Sequence, residues 1–482
     1  MSRSHRDANR LQAQASPASS RPDLRSSPVR VLLVSTYELG HQPLHVASPA
    51  AVLIRDGHEV ECLDLAVEEW DAARFQRAEA VAFSVPMHTA MRLAVQAATR
   101  LRQDRPNLPI AFYGLYAAVG ADRTAIALAD RLIVGEYEDE LAAWVAGSGS
   151  GSQPERGAIR VDLGRKSFLP PARHLLPGLE SYARLEIEGE ARLAGYVEAS
   201  HGCRHRCRHC PIPAVYDGRY RVTGLETVLA DVSALVRLGA RHVTFGDPDF
   251  LNAPRYAMDV LREVNAAFPE LTFDLTVKVE HILSHRDLWS EAARRNVVFV
   301  VSAFETTNSE VLHVLDKGHT VSEMAEATRV MRDANIQLRP SWMPFTPLTR
   351  PRDVGDIFDF LWGQDLLAAV DPVQLTIRLL IPDKSLILES AMAPFIEGYD
   401  PGALSYTWRA RDPMVDDLQA KLALIAEHGG TDQQGTITEM WSQVRPGLAL
   451  PQWSENKPIR LTESWFCCAE PTTNQLLRVG PE

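Results

Sequence analysis

Apolar residues in this chain fall into short compact runs separated by stretches of helical periodicity, and the runs form two series. The first series is Val29 to Ser35, Glu59 to Leu65, Ala80 to Val85, Pro109 to Gly114 and Arg131 to Glu136. Runs this short and this apolar predict strands covered on both faces, as in a parallel sheet. A helical segment around His45 to Arg55, and others between the later strands, complete a βαβ series. The expected architecture over residues 29–146 is a doubly wound open sheet. A ligand of such a sheet lies at the carboxyl ends of its strands, here near Ser35, Thr36, Ser84 and Gly114. Cys62, alone on an apolar strand, reads as a small core residue.

Residues 147–158 are rich in Gly and Ser and read as a flexible linker, followed by Pro170-Pro171 and a short hairpin. The second series then begins with a strand at Gly195 to Ser200. It continues through His242 to Phe245, Thr272 to Val277, Val297 to Val301, Ile336 to Pro340 and Val373 to Ile377. Helices at 225–238, 254–267 and 321–334 lie between them. Six strands with crossover helices predict a partial parallel (β/α)6 barrel over residues 159–395, with its active site at the strands' carboxyl ends. Beyond it, residues 396–482 hold one clear amphipathic helix at 413–428 and otherwise irregular chain. The fold class is therefore α/β: a doubly wound parallel sheet, a partial barrel, and a mostly helical or irregular extension. Residues 1–28, rich in Ser, Arg, Ala and Gln with no apolar core, read as a disordered leader.

Composition narrows the function. The 482 residues carry 50 Lys plus Arg against 62 Asp plus Glu, a net charge of −12. No basic excess meets nucleic-acid phosphates or a membrane surface. No apolar run approaches the roughly 18 residues of a membrane span. The six cysteines are sparse and clustered, which fits a reducing cytoplasm and ligand or redox work.

Three of them stand together as Cys203-Arg204-His205-Arg206-Cys207-Arg208-His209-Cys210, a C-x3-C-x2-C spacing. Three thiolates this close can hold one face of an iron–sulfur cube and leave its fourth iron open. The alternative is a zinc site completed by His205 or His209. Gly202 lets the preceding strand turn into this loop, and the Pro-broken stretch Pro211 to Arg221 should wrap it and exclude water.

This stretch resembles the signature of the radical S-adenosylmethionine (SAM) enzymes. The resemblance implies that Cys203, Cys207 and Cys210 hold a [4Fe–4S] cluster whose open iron chelates SAM. It also implies reductive SAM cleavage, a small-molecule substrate, and an electron donor such as flavodoxin or ferredoxin. His209, in the usual aromatic place before the third cysteine, would stack on adenine. Gly246-Asp247-Pro248-Asp249 resembles the loop whose backbone meets the SAM amino group, with Asp247 or Asp249 accepting a hydrogen bond. Ser302 to Thr307, with Lys317-Gly318 downstream, resembles a further family stretch in which Glu305 bonds a ribose or substrate group. Lys317 would pair with a carboxylate, and Arg339 and Arg378 would clamp an anionic group.

Residues 29–146 resemble the cobalamin-binding type of domain found ahead of many such barrels, which makes cobalamin a further cofactor to test. The D-x-H-x-x-G motif that supplies an axial histidine to cobalt is absent. The ending Cys467-Cys468-Ala469-Glu470-Pro471 resembles radical SAM proteins with a Cys-Cys-Ala-Glu-Pro tail, some with selenocysteine at the second position. More distantly, the chain resembles the radical SAM enzyme of arsinothricin synthesis. That likeness implies transfer of a 3-amino-3-carboxypropyl group to trivalent arsenic, with Cys467 and Cys468 holding the acceptor by soft thiolate bonds. Cobalamin-dependent radical methylation and a non-enzymatic iron–sulfur or metalloid sensor are the competing readings.

Overall fold

The computed structural model describes residues 27–119, 123–148, 157–430, 432–448, 453, 458–463 and 470–480. The leader residues 1–26 and the Cys467–Cys468 pair lie outside them.

The N-terminal domain is built on β1 (Arg30–Ser35), β2 (Glu59–Asp64), β3 (Ala80–Ser84), β4 (Ile110–Tyr113), β5 (Arg131–Gly135) and β6 (Ala158–Asp162). They form one sheet in the order β2-β1-β3-β4-β5-β6, every pairing parallel. Alternation along each strand sends its side chains to two separate cores. Leu32 and Val34 join Phe75, Met91 and Leu101 on one face, while Val31 and Leu33 join Leu53, Leu141 and Trp144 on the other. The strand order reverses between β1 and β3, which makes their carboxyl ends the crevice of the domain.

β6 corrects the domain boundary. The linker was expected to run to residue 158 with the barrel beginning at 159, but Ala158–Asp162 pairs with β5 as an edge strand of the first sheet. Its exposed residues carry no apolar run for a sequence reading to detect.

The second domain opens with the hairpin β7 (Arg184–Ile187) and β8 (Glu190–Val197), followed by the short antiparallel pair β9 (Ser200–Gly202) and β10 (Tyr220–Val222). β11 (His242–Phe245), β12 (Thr272–Thr276), β13 (Val297–Glu305) and β14 (Gln337–Trp342) then continue from β8 as a parallel curved sheet. Val197, Val243, Phe245, Phe273, Leu275, Val300 and Leu338 point outward into the core shared with the crossover helices. The alternate positions face inward, where His242 Nε2 lies 2.8 Å from Asp274 Oδ1 and stacks on Phe299.

The sixth barrel strand expected at Val373 to Ile377 is not one. Pro372–Thr376 is a 3-10 turn, and the only pairing there is a single parallel bridge between Arg378 and Phe345. Pro372 has no N–H for a ladder, and Thr376 Oγ1 bonds Val373 O at 2.7 Å inside the turn. A hairpin of β15 (Ile396–Asp400) and β16 (Ser405–Trp408), the helices Pro413–His428, Gln433–Val444 and Thr473–Val479, and a short β17 (Arg460–Leu461) make up the described extension. β17 pairs with β7, at the end of the barrel sheet.

The two domains are tied through charge. Arg173, 2 % exposed, makes two 2.9 Å bonds to Asp231 and donates to Gln42 O and Tyr196 O. In this way one guanidinium joins the β1 loop of the first domain to a barrel strand and a barrel helix. Among the described residues no helix is long and apolar enough to cross a membrane.

Candidate active site

The cysteine loop is pinched at its base by β9 and β10. Gly202 sits at φ 74, a backbone state that favours glycine, and a Cβ there would meet Arg219 O and the Tyr216 ring. The loop is then fixed from three sides. Arg204 N donates to Asn252 Oδ1 at 3.1 Å, and Arg208 N donates to Leu315 O at 2.9 Å. The helix Ile212–Tyr216 packs Val215 and Tyr216 into the N-terminal core. Cys203 and Cys207 are buried, Cys210 is half-buried, and all three are thiols rather than disulfide halves. Burial pushes the Cys203 thiol up, a cost that a metal-bound thiolate removes. Three thiols held in one short loop, two of them buried, suit a [4Fe–4S] cluster.

Next to this loop lies a charged trio. Lys317 Nζ is 3.0 Å from Glu305 Oε1, and His209 Nε2 is 3.1 Å from the same oxygen. Burial would raise Glu305, but Lys317 and His209 hold its carboxyl well below the usual range. Burial would lower Lys317, and the Glu305 carboxylate, helped by Cys207 and Cys210 in their thiolate form, raises it instead. Glu305 ends β13 at φ 65, beside a register shift between Ala303 and Glu305. That left-handed turn is a strained state for a glutamate.

The other expected residues divide. Gly246 packs under Tyr196, whose ring a Cβ would strike. Tyr196 Oη donates to Glu198 Oε1 at 2.7 Å. Asp247 accepts from Ala199 N and Ser200 Oγ at 3.0 and 2.6 Å, so its carboxylate shapes the entry to the cysteine loop, and burial pushes it up to about 7. Asp249 faces His205 and His281. Arg339 pairs with Asp371 at 3.3 Å and donates to Ile459 O, inside the barrel sheet and apart from the trio. Arg378 pairs with Asp416 at 2.8 Å and stacks on Trp408. His281, Tyr196 and Glu198 escaped the sequence reading, because only the fold brings them beside the strand and loop around the cysteines.

The barrel mouth is closed by the N-terminal domain. His41 packs on Tyr196 with ring centroids 4.9 Å apart. His45 Nε2 lies 3.4 Å from Glu198 Oε1, His201 Nδ1 lies 2.8 Å from Glu136 Oε2, and Tyr216 Oη donates to Glu136. Beside the crevice of the N-terminal domain, at the carboxyl ends of β1 and β2, lies a cavity of about 360 Å³ whose lining includes Thr462, Glu463 and Arg478. The seam beneath His45 and Glu198 holds about 30 Å³. These volumes reach at most the small end of a drug-sized pocket, well short of a corrin.

The structure thus places a loop of three thiols at the mouth of a partial parallel barrel, under a doubly wound cap. Residues 197–348 match the family described as Radical SAM superfamily. That stretch, under a third of the chain, resembles the domain that in radical SAM enzymes holds a [4Fe–4S] cluster and SAM. Among curated proteins, the chain is 28% identical over 175 residues to a tRNA-2-methylthio-N(6)-dimethylallyladenosine synthase of Chlorobaculum tepidum, covering 35% of this chain and 39% of that protein. The chain thus spans well under half of that relative. The cobalamin-dependent SAM radical enzyme OxsB, solved with aqua-cobalamin bound, shares the fold at TM-score 0.64 and 12% identity over 87% of this chain and 71% of that one. The radical SAM methyltransferase TsrM of Kitasatospora setae, solved with tryptophan substrate and a SAM analogue, does so at TM-score 0.54 and 18% identity over 70% and 71%.

Proposed function

We propose that this protein is a radical SAM enzyme that cleaves SAM reductively and transfers a SAM-derived group to a small molecule. The observation that carries the reading is the cysteine loop of Cys203, Cys207 and Cys210 beside the buried Glu305–Lys317–His209 trio. When bound, the cluster and SAM supply the reductive bond cleavage. The chain's own part is to bind, orient and exclude water. Glu305 is ionised and offers acceptor lone pairs to sugar hydroxyls or an ammonium. Lys317 offers a buried cation to a carboxylate. Gly246, without a side chain, gives backbone access under Tyr196. The N-terminal cap, through His41 and His45, keeps the mouth dry. Arg206, exposed on the cysteine loop, and its neighbours Arg204 and Arg208 suit an acidic electron carrier of the flavodoxin or ferredoxin kind.

The finer reading takes the acceptor as trivalent arsenic, the transferred group as 3-amino-3-carboxypropyl, and Cys467 and Cys468 as the acceptor's holders. Thiolate softness supports it. So do the described residues flanking the pair: Tyr37 Oη donates to Glu463 at 3.1 Å, and Glu470 pairs with His88 at 3.3 Å and with Arg92. Both anchors sit at the crevice end of the N-terminal domain. The test is anaerobic turnover with dithionite, with and without arsenite, reading the nucleoside product by mass spectrometry. 5′-Methylthioadenosine that increases with arsenite supports the transfer. 5′-Deoxyadenosine indifferent to arsenite overturns it and leaves a carbon substrate.

The fold shared with OxsB and TsrM favours cobalamin-dependent methyl transfer as the second reading. It requires stoichiometric cobalt after purification with cobalamin supplied, and an absence of cobalt removes it.

A further inference from the structure

The loop between Cys203 and Cys207 also carries His205, and this imidazole meets two residues from other parts of the barrel. Asp249 comes from the loop after β11, and His281 from the helix Val279–Ser284. His205 Nε2 lies 3.3 Å and His281 Nδ1 2.7 Å from Asp249 Oδ2, and the ligand atoms of the three residues all fall within 4.8 Å of one another. Each of these three atoms is buried, yet none has a partner placed for a proper hydrogen bond. Asp249 is 0 % exposed. Its other oxygen, Oδ1, accepts from Leu251 N at 3.2 Å, so Oδ2 alone is left for the site.

A structural His–Asp–His chain would align N–H with oxygen, because burying unmatched polar atoms is costly. Here the atoms approach one another without that alignment and lie within 4.8 Å of one another. Two ligands each about 2.1 Å from one ion lie about 3.0–3.4 Å apart at right-angled or tetrahedral geometry; the 3.3 Å separation from His205 falls inside that range and the 2.7 Å separation from His281 just below it. We propose that His205 Nε2, Asp249 Oδ2 and His281 Nδ1 bind one divalent first-row transition-metal ion, zinc or ferrous iron, distinct from the cluster. Two imidazoles and one carboxylate are a borderline donor set that leaves positions open to water. The side chains of His205 and His281 are 18% and 16% exposed, which gives an ion its path in.

The surroundings supply the outer contacts. Coordination through Nε2 leaves the proton of His205 on Nδ1, and Glu280 Oε2, 3.9 Å away, is the acceptor that would fix it. Lys278 Nζ now lies 3.0 Å from that Nδ1 and 3.5 Å from Glu280. On loading it gives up His205 and keeps Glu280. The ion would clamp the cysteine loop, midway between its first two cysteines, to one barrel loop and one short barrel helix.

The test uses the full chain with its cluster reconstituted anaerobically, freed of loose metal on a chelating resin, then titrated with zinc, and with cobalt for its d–d absorption. The expected result is about one zinc per chain beyond the cluster iron, with affinity weakened roughly 100-fold or more in His281→Gln and in Asp249→Asn while cluster absorbance is retained. His281 sits on a short, partly exposed helix, so its variant stays informative if the buried Asp249→Asn misfolds. Absence of zinc in the native protein, equal zinc in His281→Gln, or zinc lost only in step with cluster iron overturns the proposal.

Discussion

Lys317 Nζ meets Glu305 Oε1 at 3.0 Å with both side chains buried, and that one oxygen also meets His209 Nε2. The pair thus links the strained end of β13 to the third cysteine's neighbour. Breaking such a pair from one side costs about 3–5 kcal/mol, because the remaining charge is stranded. Glu305→Gln should lower the unfolding temperature and weaken SAM binding. The double replacement Glu305→Gln/Lys317→Met should regain much of the stability and none of the SAM affinity. Calorimetry with SAM titration checks both, and a double variant that still binds SAM normally would refute the site role.

Gly246→Ala forces a methyl group against the Tyr196 ring. Overpacking of this kind costs about 1–3 kcal/mol. Pairing it with Tyr196→Ala should relieve the clash, a non-additivity that unfolding measurements on the two singles and the double reveal. Simple additivity would show that the ring and the glycine do not compete for space.

Arg173 holds Asp231 and two carbonyls from both domains. Arg173→Met leaves Asp231 buried without its partner and should cost about 3–5 kcal/mol. Limited proteolysis should then cut between the domains faster than in the native chain. Unchanged cleavage would mean that this guanidinium does not join them.

The seam between the domains should respond to alkali. Burial would lower His45, yet Glu198 and Glu38 push it up to about 9. Burial would raise Glu198, yet His45 and His201 hold it at about 2. A raised histidine binds its proton more tightly folded than unfolded. Its contribution is therefore complete below its ordinary value of 6.5 and lost as pH rises through about 9. The depressed Glu198 contributes above its ordinary value of 4.5 and loses that contribution as pH falls towards about 2. The groups facing His45 are Glu38, Glu198, Tyr137 and His201. The unfolding temperature should fall between pH 6.5 and 9, and less steeply in His45→Gln. Parallel curves for the two proteins would remove His45 from the seam.

Much of this fold was legible because parallel strands covered on both faces are written as apolar runs, and the first five strands fall on them. β6 was not legible, because an edge strand with exposed positions such as Arg160 and Val161 needs no such run. Residues 373–377 misled in the opposite sense: they alternate like a strand, but Pro372 turns them into a 3-10 segment. In the site, the cysteines announce themselves by spacing, whereas Asp247 and Asp249 turn towards protein partners that no local pattern reveals. His281 joins Asp249 only because β11 and β12 are neighbours in the sheet.

The central claim is tested most directly by anaerobic reconstitution followed by SAM and dithionite, measuring SAM-derived nucleoside by mass spectrometry in the native chain and in Cys203→Ala, Cys207→Ala and Cys210→Ala. Nucleoside released by the native protein and lost in every one of the three variants is the predicted result. No release from a fully cluster-loaded native chain, or undiminished release from any of the three variants, would contradict the account.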